Sequence, residues 1–283
     1  MPELPEVEIL VRALDPQLSG RVIQGVEVRR ERVVRPNSPA ELAMKLTGRR
    51  IQRVVRRAKY LLFHLEEVSS QESRIVVGHL GMTGRMYLQP VGAKFPRHAA
   101  VIVHLDWDNL VFEDTRYFGR FHLDASVLSA LGPEPLDETF TAEAFTTALK
   151  RSAQPVKVKL LDQTVVAGIG NIYASEALFR AGISPRCPAN RLTRPQVVAL
   201  RSAILEVLQA AIAGGSTLPL NFAGGRDGLF YYGTTTTKAR GTYEERLWVY
   251  DRAGLPCLQC QTPVRQFVQA ARSTYFCPCC QPG

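Results

Sequence analysis

The stretch CLQCQTPVRQFVQAARSTYFCPCC, residues 257–280, decides how the C-terminal part of the chain folds. Cys257 and Cys260 are separated by two residues, Cys277 and Cys280 are separated likewise, and sixteen residues lie between the pairs. A two-residue gap lets both thiolates of a turn face one tetrahedral ion, so this spacing predicts one structural zinc ion with four thiolate ligands. Because four thiolates leave no open coordination position, the zinc ion is expected to hold the fold and not to supply chemistry.

The residues between the cysteine pairs indicate what the zinc ion holds. VRQFV and STYF have the pattern of two strands of a β-hairpin, with residues 270–272 near its tip. A disulfide pair or redox-active thiols are the alternative, which a cytosolic chain disfavours. Cys279 could compete with Cys280 for the fourth position, but Cys280 has the regular spacing and is the predicted ligand.

The charge of the chain indicates a polyanionic partner. The 283 residues include 35 Lys and Arg against 26 Asp and Glu, which gives a net charge of +9. No acid occurs from Leu42 to Leu65, where seven basic residues stand, and none follows Asp251. A merely solubilising surface is the alternative, but it would be expected to mix acids with these bases. Two acid-free basic tracts therefore predict a surface that binds the phosphates of nucleic acid.

Two features of the sequence speak against a membrane or secreted protein. No window holds the roughly 18 uncharged apolar residues that a membrane helix needs. The first residues, MPELPEVEIL, contain acids where a signal peptide has a basic region. We therefore expect a cytoplasmic protein without a membrane partner.

Hydrophobic periodicity divides the remaining chain into a strand-rich part and a helical part. The N-terminus predicts a short helix that Gly20 ends, since Pro5 suits a first helical turn. From Arg21 to about Leu123, short runs such as RVVRRAKYLLFHL are rich in strand-forming residues with roughly alternating polarity, as in a β-sandwich. After Leu131-Gly-Pro-Glu-Pro135, apolar residues recur at three- and four-residue steps, which predicts helices, with Gly182 and Gly214 as helix ends.

The N-terminus also offers a reactive group. Removal of the initiator methionine, expected before a small second residue, would leave Pro2 with a free secondary amine. An α-amino group has a pKa of about 8, so a useful fraction is unprotonated at neutral pH and can attack an electrophilic sugar carbon. Glu3 and Glu6 could then act as acid, base or stabiliser of positive charge. The alternative is that Pro2 merely begins the chain and the two glutamates only decorate a helix start.

Six blocks carry a resemblance to a known family. They are MPELPEVE at the start, GHLGMTG (78–84), DTRYFGR (114–120), LLDQTVVAGIGNIYASEALF (160–179), GGSTL (214–218) and the four-cysteine ribbon. In this order they resemble the formamidopyrimidine-DNA glycosylases, bacterial enzymes that remove oxidised purines from DNA. The resemblance spans essentially the whole chain. Leu4 indicates the purine branch, because the related endonuclease VIII branch usually has Gly there.

The resemblance implies a set of catalytic residues. By similarity, Pro2 is the nucleophile that forms a Schiff base with the sugar, Glu3 helps to open the sugar, and Glu6 orders water or stabilises charge. Lys59 matches the proton donor in β-elimination, and it could also be one more phosphate-binding lysine. Arg272 matches an arginine that clamps phosphates and is assigned as proton donor in δ-elimination. We favour the clamp, since a guanidinium is a poor proton donor.

The resemblance also implies contacts with DNA. Met82, Arg116 and Phe118 match the residues that fill the void left by a flipped base. The residues that match or neighbour phosphate contacts are His79, His98, Arg151, Lys157 and Asn171, the last of them in a helix–two-turns–helix motif. The loop 217–243 is expected to cover the flipped base, although its sequence resembles little in the family. The family usually has Gly at Ala271, so the turn at the hairpin tip could differ here.

Together these observations predict an α+β protein in three parts. The N-terminal helix plus a two-layer β-sandwich form a catalytic domain at 1–132. A linker and a helical DNA-binding domain follow at 133–245, and the zinc ribbon at 246–283. The expected function is that of a monomeric DNA glycosylase and AP lyase, which removes 8-oxoguanine and formamidopyrimidines from double-stranded DNA and cuts abasic sites by β,δ-elimination. The alternatives are an oxidised-pyrimidine glycosylase of the endonuclease VIII branch and a non-catalytic, zinc-stabilised DNA-binding protein.

Overall fold

The computed structural model describes residues 2–66, 74–215 and 247–283. These residues form two compact units. The first unit extends to Ser129, and the second contains Ala130–Gly214 together with residues from 247 onwards. The loop 217–243, expected to cover a flipped base, lies outside the described residues.

The first unit begins with helix α1 (Leu4–Leu18). Pro5 occupies its first turn, where a missing backbone N–H costs nothing. Its buried face contains Val7, Leu10, Val11, Leu14 and Leu18, which recur at the three- and four-residue steps of one helical stripe. Gly20, with φ 86°, turns the chain away from the helix end, as expected from the sequence.

Two four-stranded antiparallel sheets follow, with the orders β2-β3-β4-β8 and β1-β6-β7-β5. Their strands are β1 (Gly25–Val28), β2 (Ile51–Arg57), β3 (Tyr60–Leu65), β4 (Arg74–His79), β5 (Gly84–Pro90), β6 (Ala99–His104), β7 (Asp108–Asp114) and β8 (Arg120–His122). A single apolar core contains residues of both sheets and of α1, among them Leu14, Phe63 and Phe112. The chain passes from one sheet to the other at Leu80–Thr83, between β4 and β5.

The run RVVRRAKYLLFHL is not one strand. It forms the hairpin of β2 and β3, in which Arg57 pairs with Tyr60 across the turn at Ala58 and Lys59. Ala58 has φ 52°, a left-handed conformation that non-glycine residues rarely adopt. This turn could not be predicted from the sequence, because neither Gly nor Asn marks it.

The prediction of strands throughout 21–123 is also wrong at two short helices, α2 (Glu31–Val34) and α3 (Pro39–Leu46). The Ser38 hydroxyl accepts the backbone N–H of Glu41 at 3.1 Å and so caps α3. Leu42 and Leu46 bury one face of this helix against the sandwich core. The capping serine and the four-residue spacing of these leucines were present in the sequence, but the strand-forming residues on both sides led to a prediction of strands.

The second unit is helical, with a C-terminal ribbon. Its helices are α4 (Ala142–Lys150), α5 (Val156–Leu161), α6 (Asn171–Arg180) and α7 (Arg194–Gly214), and its strands are β9 (Arg265–Gln269) and β10 (Arg272–Phe276). Gly182, with φ 65°, follows α6 as predicted. Gly214 instead lies within the last turn of α7, and Gly215 adopts the left-handed conformation with φ 98°. These elements confirm the predicted α+β fold.

Helix α7 is the one helix of the described residues that is long and apolar enough, by length and composition alone, to cross a membrane. One such helix is weak support for a membrane span. Its Arg201 guanidinium donates to the Phe140 carbonyl, and Glu206 pairs with Arg180 of α6. Its apolar stripe, which includes Leu200, Ile204 and Leu208, is buried within the unit.

The ribbon tip contains two alanines in the left-handed region. Ala270 has φ 49° and Ala271 has φ 57°, and together they join β9 to β10 in a two-residue turn. Such a turn needs positive φ at both central residues, which glycine adopts without steric cost. The chain therefore keeps this backbone geometry at the tip although Ala stands where the related family usually has Gly.

This geometry makes a prediction about stability. Ala271→Gly should stabilise the ribbon by about 0.5–1 kcal/mol, because relief of the left-handed strain exceeds the extra backbone entropy of glycine. The measurement is the denaturant midpoint for zinc release, followed with a chromogenic chelator. Ala144→Gly in the exposed face of α4 is the matched control and should destabilise by about 1 kcal/mol. Destabilisation by both variants would show that the tip is not left-handed.

Candidate active site and nucleic-acid interface

The N-terminus of α1 holds the predicted nucleophile and its two carboxylates. Pro2 is buried, and the exposed fractions of Glu3 and Glu6 are only 2% and 1%. The Glu6 carboxylate accepts the backbone N–H of Glu3 at 2.7 Å. Glu3 is the N-cap residue of the helix, so this bond fixes the backbone immediately after Pro2. Burial and capping together give this segment one defined conformation.

Polar contacts tie α1 to the hairpin that carries Lys59. The Asp15 carboxylate accepts the backbone N–H of Val54 at 2.6 Å. Arg56 pairs with Glu8 at 2.8 Å and also donates to the carbonyl of Ala58 at 3.2 Å. Burial would raise the pKa of Glu8, but hydrogen bonds from Arg56 and Arg12 outweigh it and lower that pKa. These bonds fix the β2–β3 turn, and with it the almost completely buried Lys59, relative to the helix that follows Pro2.

His79 at the end of β4 is held as a neutral imidazole. Burial, together with the positive charges of Lys59 and Arg120, lowers its pKa to about 4. Its Nδ1 accepts the backbone N–H of Gly81 at 3.1 Å, which leaves the proton on Nε2. His79 can therefore donate one hydrogen bond to an anion while its other nitrogen orders the turn that leads to Met82.

The three residues matched to void filling lie on two turns that pack together. Met82 is 39% exposed and Phe118 is 41% exposed, and Arg116 is exposed as well. Both apolar side chains are therefore accessible to a ligand at this surface. The Arg116 guanidinium lies 4.7 Å from the centre of the Phe118 ring, so these two side chains form one exposed unit.

The fully buried carboxylate of Asp114 links the two turns. Its Oδ1 accepts the hydroxyl of Thr83 at 2.6 Å and the backbone N–H of Arg116 at 3.1 Å. Its Oδ2 accepts the backbone N–H of Gly119 at 2.8 Å. A Cβ at Gly81 would lie 2.7 Å from the Gly119 nitrogen, so this close approach requires glycine. We did not single out Asp114 from the sequence, although an acid that opens the block DTRYFGR was the available signal.

In the second unit, a buried lysine organises the predicted phosphate contacts. Lys157 is 1% exposed, and its ammonium donates to the Asn171 side chain at 2.7 Å, the Ser273 carbonyl at 3.0 Å and the Thr274 hydroxyl at 2.8 Å. The Asn171 amide also donates to the Ser273 carbonyl at 2.9 Å. The lysine thereby joins α5, the N-terminus of α6 and β10, directly beside Arg272. A direct contact of Lys157 with phosphate stays a prediction.

The turn before Asn171 depends on glycine and on Gln163. Gly168 has φ 85°, and its backbone N–H donates to the Gln163 side chain at 2.9 Å. The Gln163 amide in turn donates to the Ile169 carbonyl at 2.9 Å. Asn171 begins α6, and the positive end of the helix dipole at this terminus favours an anion. Arg151 and Arg272, the other predicted contacts of this unit, are both exposed.

The ribbon brings the four predicted zinc ligands together. The sulfurs of Cys257, Cys260, Cys277 and Cys280 lie within 4.8 Å of one another, whereas Cys279 is exposed and outside this cluster. The Sγ–Sγ separations are 3.9 Å for Cys257–Cys280 and 3.4 Å for Cys260–Cys277. Four Zn–S bonds of about 2.3 Å in a tetrahedron place sulfurs about 3.8 Å apart, so the cluster fits this ion. These residues hold a structural zinc ion, which stabilises the ribbon when bound.

A second buried carboxylate, Glu176 of α6, was missed in the sequence. It accepts the backbone N–H groups of Trp248, Val249 and Tyr250 at 2.8 to 3.0 Å. Burial raises its pKa, although these three hydrogen bonds favour the charged form. Glu176 thus anchors the segment that enters the ribbon. An acid within the otherwise apolar run YASEALF was the signal that could have identified it.

The basic tract 42–65 is less available to phosphates than its composition suggested. Lys45 pairs with Glu41, Arg50 pairs with Glu66 at 3.4 Å, and Arg56 pairs with Glu8. Glu41 and Glu66 directly flank the tract, whereas Glu8 is distant in sequence, so the last pair could not be recognised from the local sequence. At least three of the seven basic residues therefore serve the fold in addition to any ligand.

The helix-plus-sandwich unit, the helical unit and the four-cysteine ribbon define a class of zinc-finger DNA glycosylases. Three family models match in order: the formamidopyrimidine-DNA glycosylase N-terminal domain over residues 1–121, its H2TH domain over 131–221, and a zinc finger found in FPG and IleRS over 254–283. The chain belongs to the formamidopyrimidine-DNA glycosylase family.

Similar proteins cover the whole chain. A formamidopyrimidine-DNA glycosylase of Chloroflexus aggregans is 44% identical over 99% of this chain and 98% of the relative. One from Paracoccus denitrificans is 42% identical over 99% of this chain and all of the relative. Among solved structures, a Lactococcus lactis Fpg mutant in complex with Fapy-dG DNA has 32% identity and a TM-score of 0.87, with complete coverage of both chains. The L. lactis Fpg with an abasic-site DNA has a TM-score of 0.86 at 32% identity, covering 99% of this chain and 100% of that one.

Proposed function

We propose that this base-excision-repair glycosylase removes oxidised purines from duplex DNA through a Schiff base on Pro2 and then cuts the abasic strand. The observation that carries the proposal is the buried N-terminal segment, in which Glu6 fixes Glu3 directly after Pro2. The relatives are named formamidopyrimidine-DNA glycosylases, and solved relatives hold Fapy-dG or abasic-site DNA. This makes 8-oxoguanine and formamidopyrimidines the proposed substrates.

In the proposed excision step, the Pro2 nitrogen attacks the anomeric carbon of the sugar. The new N–C1′ bond replaces the glycosidic bond, whose electron pair leaves with the base and is neutralised by a proton. Glu3 donates a proton to the ring oxygen, so that the sugar opens to an iminium ion. The carboxylates of Glu3 and Glu6 stabilise the positive charge that develops beside them.

In the proposed lyase steps, the iminium acts as the electron sink. Loss of a C2′ proton expels the 3′-phosphate by β-elimination, with Lys59 as the proton donor. A second elimination expels the 5′-phosphate, and water then hydrolyses the Schiff base to free Pro2. Arg272 clamps the phosphates, because a guanidinium gives up protons poorly.

The proposed DNA contacts follow from the need to reach a stacked base. The enzyme must flip the damaged nucleotide out, which costs a few kcal/mol. Met82, Arg116 and Phe118 enter the vacated space, where Arg116 can hydrogen-bond the orphaned cytosine. His79, His98, Arg151, Lys157, Asn171 and Arg272 are proposed as the residues that contact phosphates or position those that do. The proposed setting is a monomer on double-stranded DNA in the cytoplasmic nucleoid.

A lesion panel tests this function. The protein should excise 8-oxoguanine opposite cytosine, and formamidopyrimidines, at least about tenfold faster than oxidised pyrimidines, which is a transition-state difference of about 1.4 kcal/mol. The panel must include oxidised pyrimidines, because one solved L. lactis relative holds DNA with an oxidised pyrimidine. Faster removal of pyrimidines would favour the endonuclease VIII alternative, and binding without strand cleavage would favour a non-catalytic DNA-binding protein.

A further inference from the structure

Tyr117 occupies an unusual position between two exposed residues of the void-filling set. Its φ is 53°, a left-handed conformation that is rare for a bulky residue. Arg116 and Phe118 on either side are exposed, whereas Tyr117 is half-buried and packs against the sandwich core. In this loop between β7 and β8, the side chains of Arg116 and Phe118 therefore point outward, and the side chain of Tyr117 points inward.

Two contacts hold the Tyr117 ring in place, and a backbone hydrogen bond anchors one of its partners. The guanidinium of Arg30, just before α2, lies 5.2 Å from the ring centre. The Tyr117 hydroxyl and the His98 Nδ1 are 3.2 Å apart, within hydrogen-bond distance. The carbonyl of His98 accepts the backbone N–H of Asp114 at 3.1 Å, which ties the same histidine to the base of the loop. A strained backbone conformation persists only where its surroundings determine it in this way.

The neighbouring ring of Phe118 is also in contact with arginine side chains. The guanidiniums of Arg32 and Arg116 lie 5.7 Å and 4.7 Å from its centre. Arg30 and Arg32 thus contact successive aromatic rings of the loop, one ring turned inward and one outward. A change in the backbone at Tyr117 would redirect both Arg116 and Phe118.

We propose that Tyr117 is a positioning residue, which presets Arg116 and Phe118 in the geometry in which they enter the duplex. The inference rests on the proposed glycosylase function. It assigns the tyrosine to the insertion step and not to the chemistry at Pro2, since no contact of its ring involves the N-terminal segment within the described residues. Strain held by the Arg30 and His98 contacts keeps the loop from relaxing when DNA is absent.

The test compares Tyr117→Asn and Tyr117→Phe. Asparagine tolerates the left-handed conformation but lacks the ring, whereas phenylalanine keeps the ring and loses only the hydroxyl contact with His98. Tyr87→Phe is the matched control, because the Tyr87 hydroxyl lies 3.0 Å from Glu113 on β7, outside the void-filling loops. Two rates are measured under single-turnover conditions: excision of 8-oxoguanine from a duplex, and cleavage of a preformed abasic site in a single strand, which leaves no void to fill.

Insertion itself is followed by fluorescence. A 2-aminopurine is placed beside a tetrahydrofuran abasic analogue in a duplex, and its emission rises when the neighbouring stack opens. Tyr117→Asn should lower duplex excision by between about 10- and 100-fold, as a misplacement of about 1 Å can, and should remove most of the fluorescence rise. Tyr117→Phe should lower excision by about threefold to tenfold, the cost of one hydrogen bond. The rate of single-strand cleavage by both Tyr117 variants should stay within about twofold of that of the unmodified protein, which is less than the effect of one hydrogen bond. Every readout of Tyr87→Phe should stay within the same range.

Two results would overturn the inference. One is duplex excision and fluorescence at the unmodified level in Tyr117→Asn. The other is a parallel fall of duplex excision and single-strand cleavage with a lower melting temperature, which would mark Tyr117 as a core residue only. If the unmodified protein cleaves neither substrate, the proposed function fails, and the fluorescence with the uncleavable analogue still decides the role of Tyr117.

Discussion

Protein that retains Met1 will excise 8-oxoguanine at least about 10³-fold more slowly than protein that begins at Pro2, the scale of effect seen when an enzyme loses its nucleophile. The amide of a Met1–Pro2 bond has no lone pair available to attack the sugar, whereas the free secondary amine does. The measurement is the single-turnover rate on an 8-oxoguanine duplex, with protein purified from cells in which methionine aminopeptidase is inhibited.

The control for this prediction is the same protein sample. Treatment with purified methionine aminopeptidase should restore excision as the N-terminal residue changes from Met1 to Pro2, followed by mass spectrometry. Full activity before that treatment would show that another group attacks the sugar. No recovery after complete removal of Met1 would show that the preparation was inactive for a different reason.

Cys277→Ser should lose both zinc and duplex DNA binding, whereas Cys279→Ser should keep both. The Cys277 sulfur lies in the four-thiolate cluster, 3.4 Å from that of Cys260, and also accepts the backbone N–H of Cys280 at 3.4 Å. Structural zinc contributes on the order of 10 kcal/mol to folding in small ribbons, and a hydroxyl ligand cannot replace the thiolate. The ribbon carries Arg272 and the Ser273 carbonyl that joins the Lys157 network, so both would be displaced with it.

For both cysteine variants, the measurements are the zinc content and the binding to a duplex that contains a tetrahydrofuran abasic analogue. Cys279→Ser changes a neighbouring thiol of the same type and is therefore a matched control for the loss of a cysteine. Loss of zinc from Cys279→Ser but not from Cys277→Ser would reassign the ligand set. Loss of zinc from Cys277→Ser without any loss of DNA binding would separate the ribbon from the interface.

Local patterns in the sequence were sufficient for much of this fold. The spacing of Cys257 to Cys280 predicted the ribbon, because a metal site and its hairpin depend on residues close in sequence. Short runs of strand-forming residues between Arg21 and Leu123 predicted the sandwich, and its two four-stranded sheets lie in this range. The same reasoning missed the turn at Ala58, where alanine adopts a left-handed conformation that the sequence does not mark. It did predict the hairpin tip at residues 270–272, where the turn lies.

The candidate site was harder to predict from the sequence, because its contacts join residues that are far apart in the chain. Arg56 and Glu8 are 48 positions apart, and Lys157 and Thr274 are 117 apart. Nothing local distinguishes a buried lysine that organises an amide from an exposed one that binds phosphate. Composition therefore predicted that this protein has a basic surface, but it did not show which bases are already paired within the fold.

The most direct test of the central claim is borohydride reduction of the protein with an 8-oxoguanine duplex, followed by peptide mapping of the covalent product. Reduction converts an iminium between enzyme and sugar into a stable amine, so the modified residue is the nucleophile. The account predicts that the sugar remnant is attached to the nitrogen of Pro2 in a peptide that lacks Met1. Attachment to Lys59 or another lysine, or the absence of any trapped product while the base is excised, would contradict it.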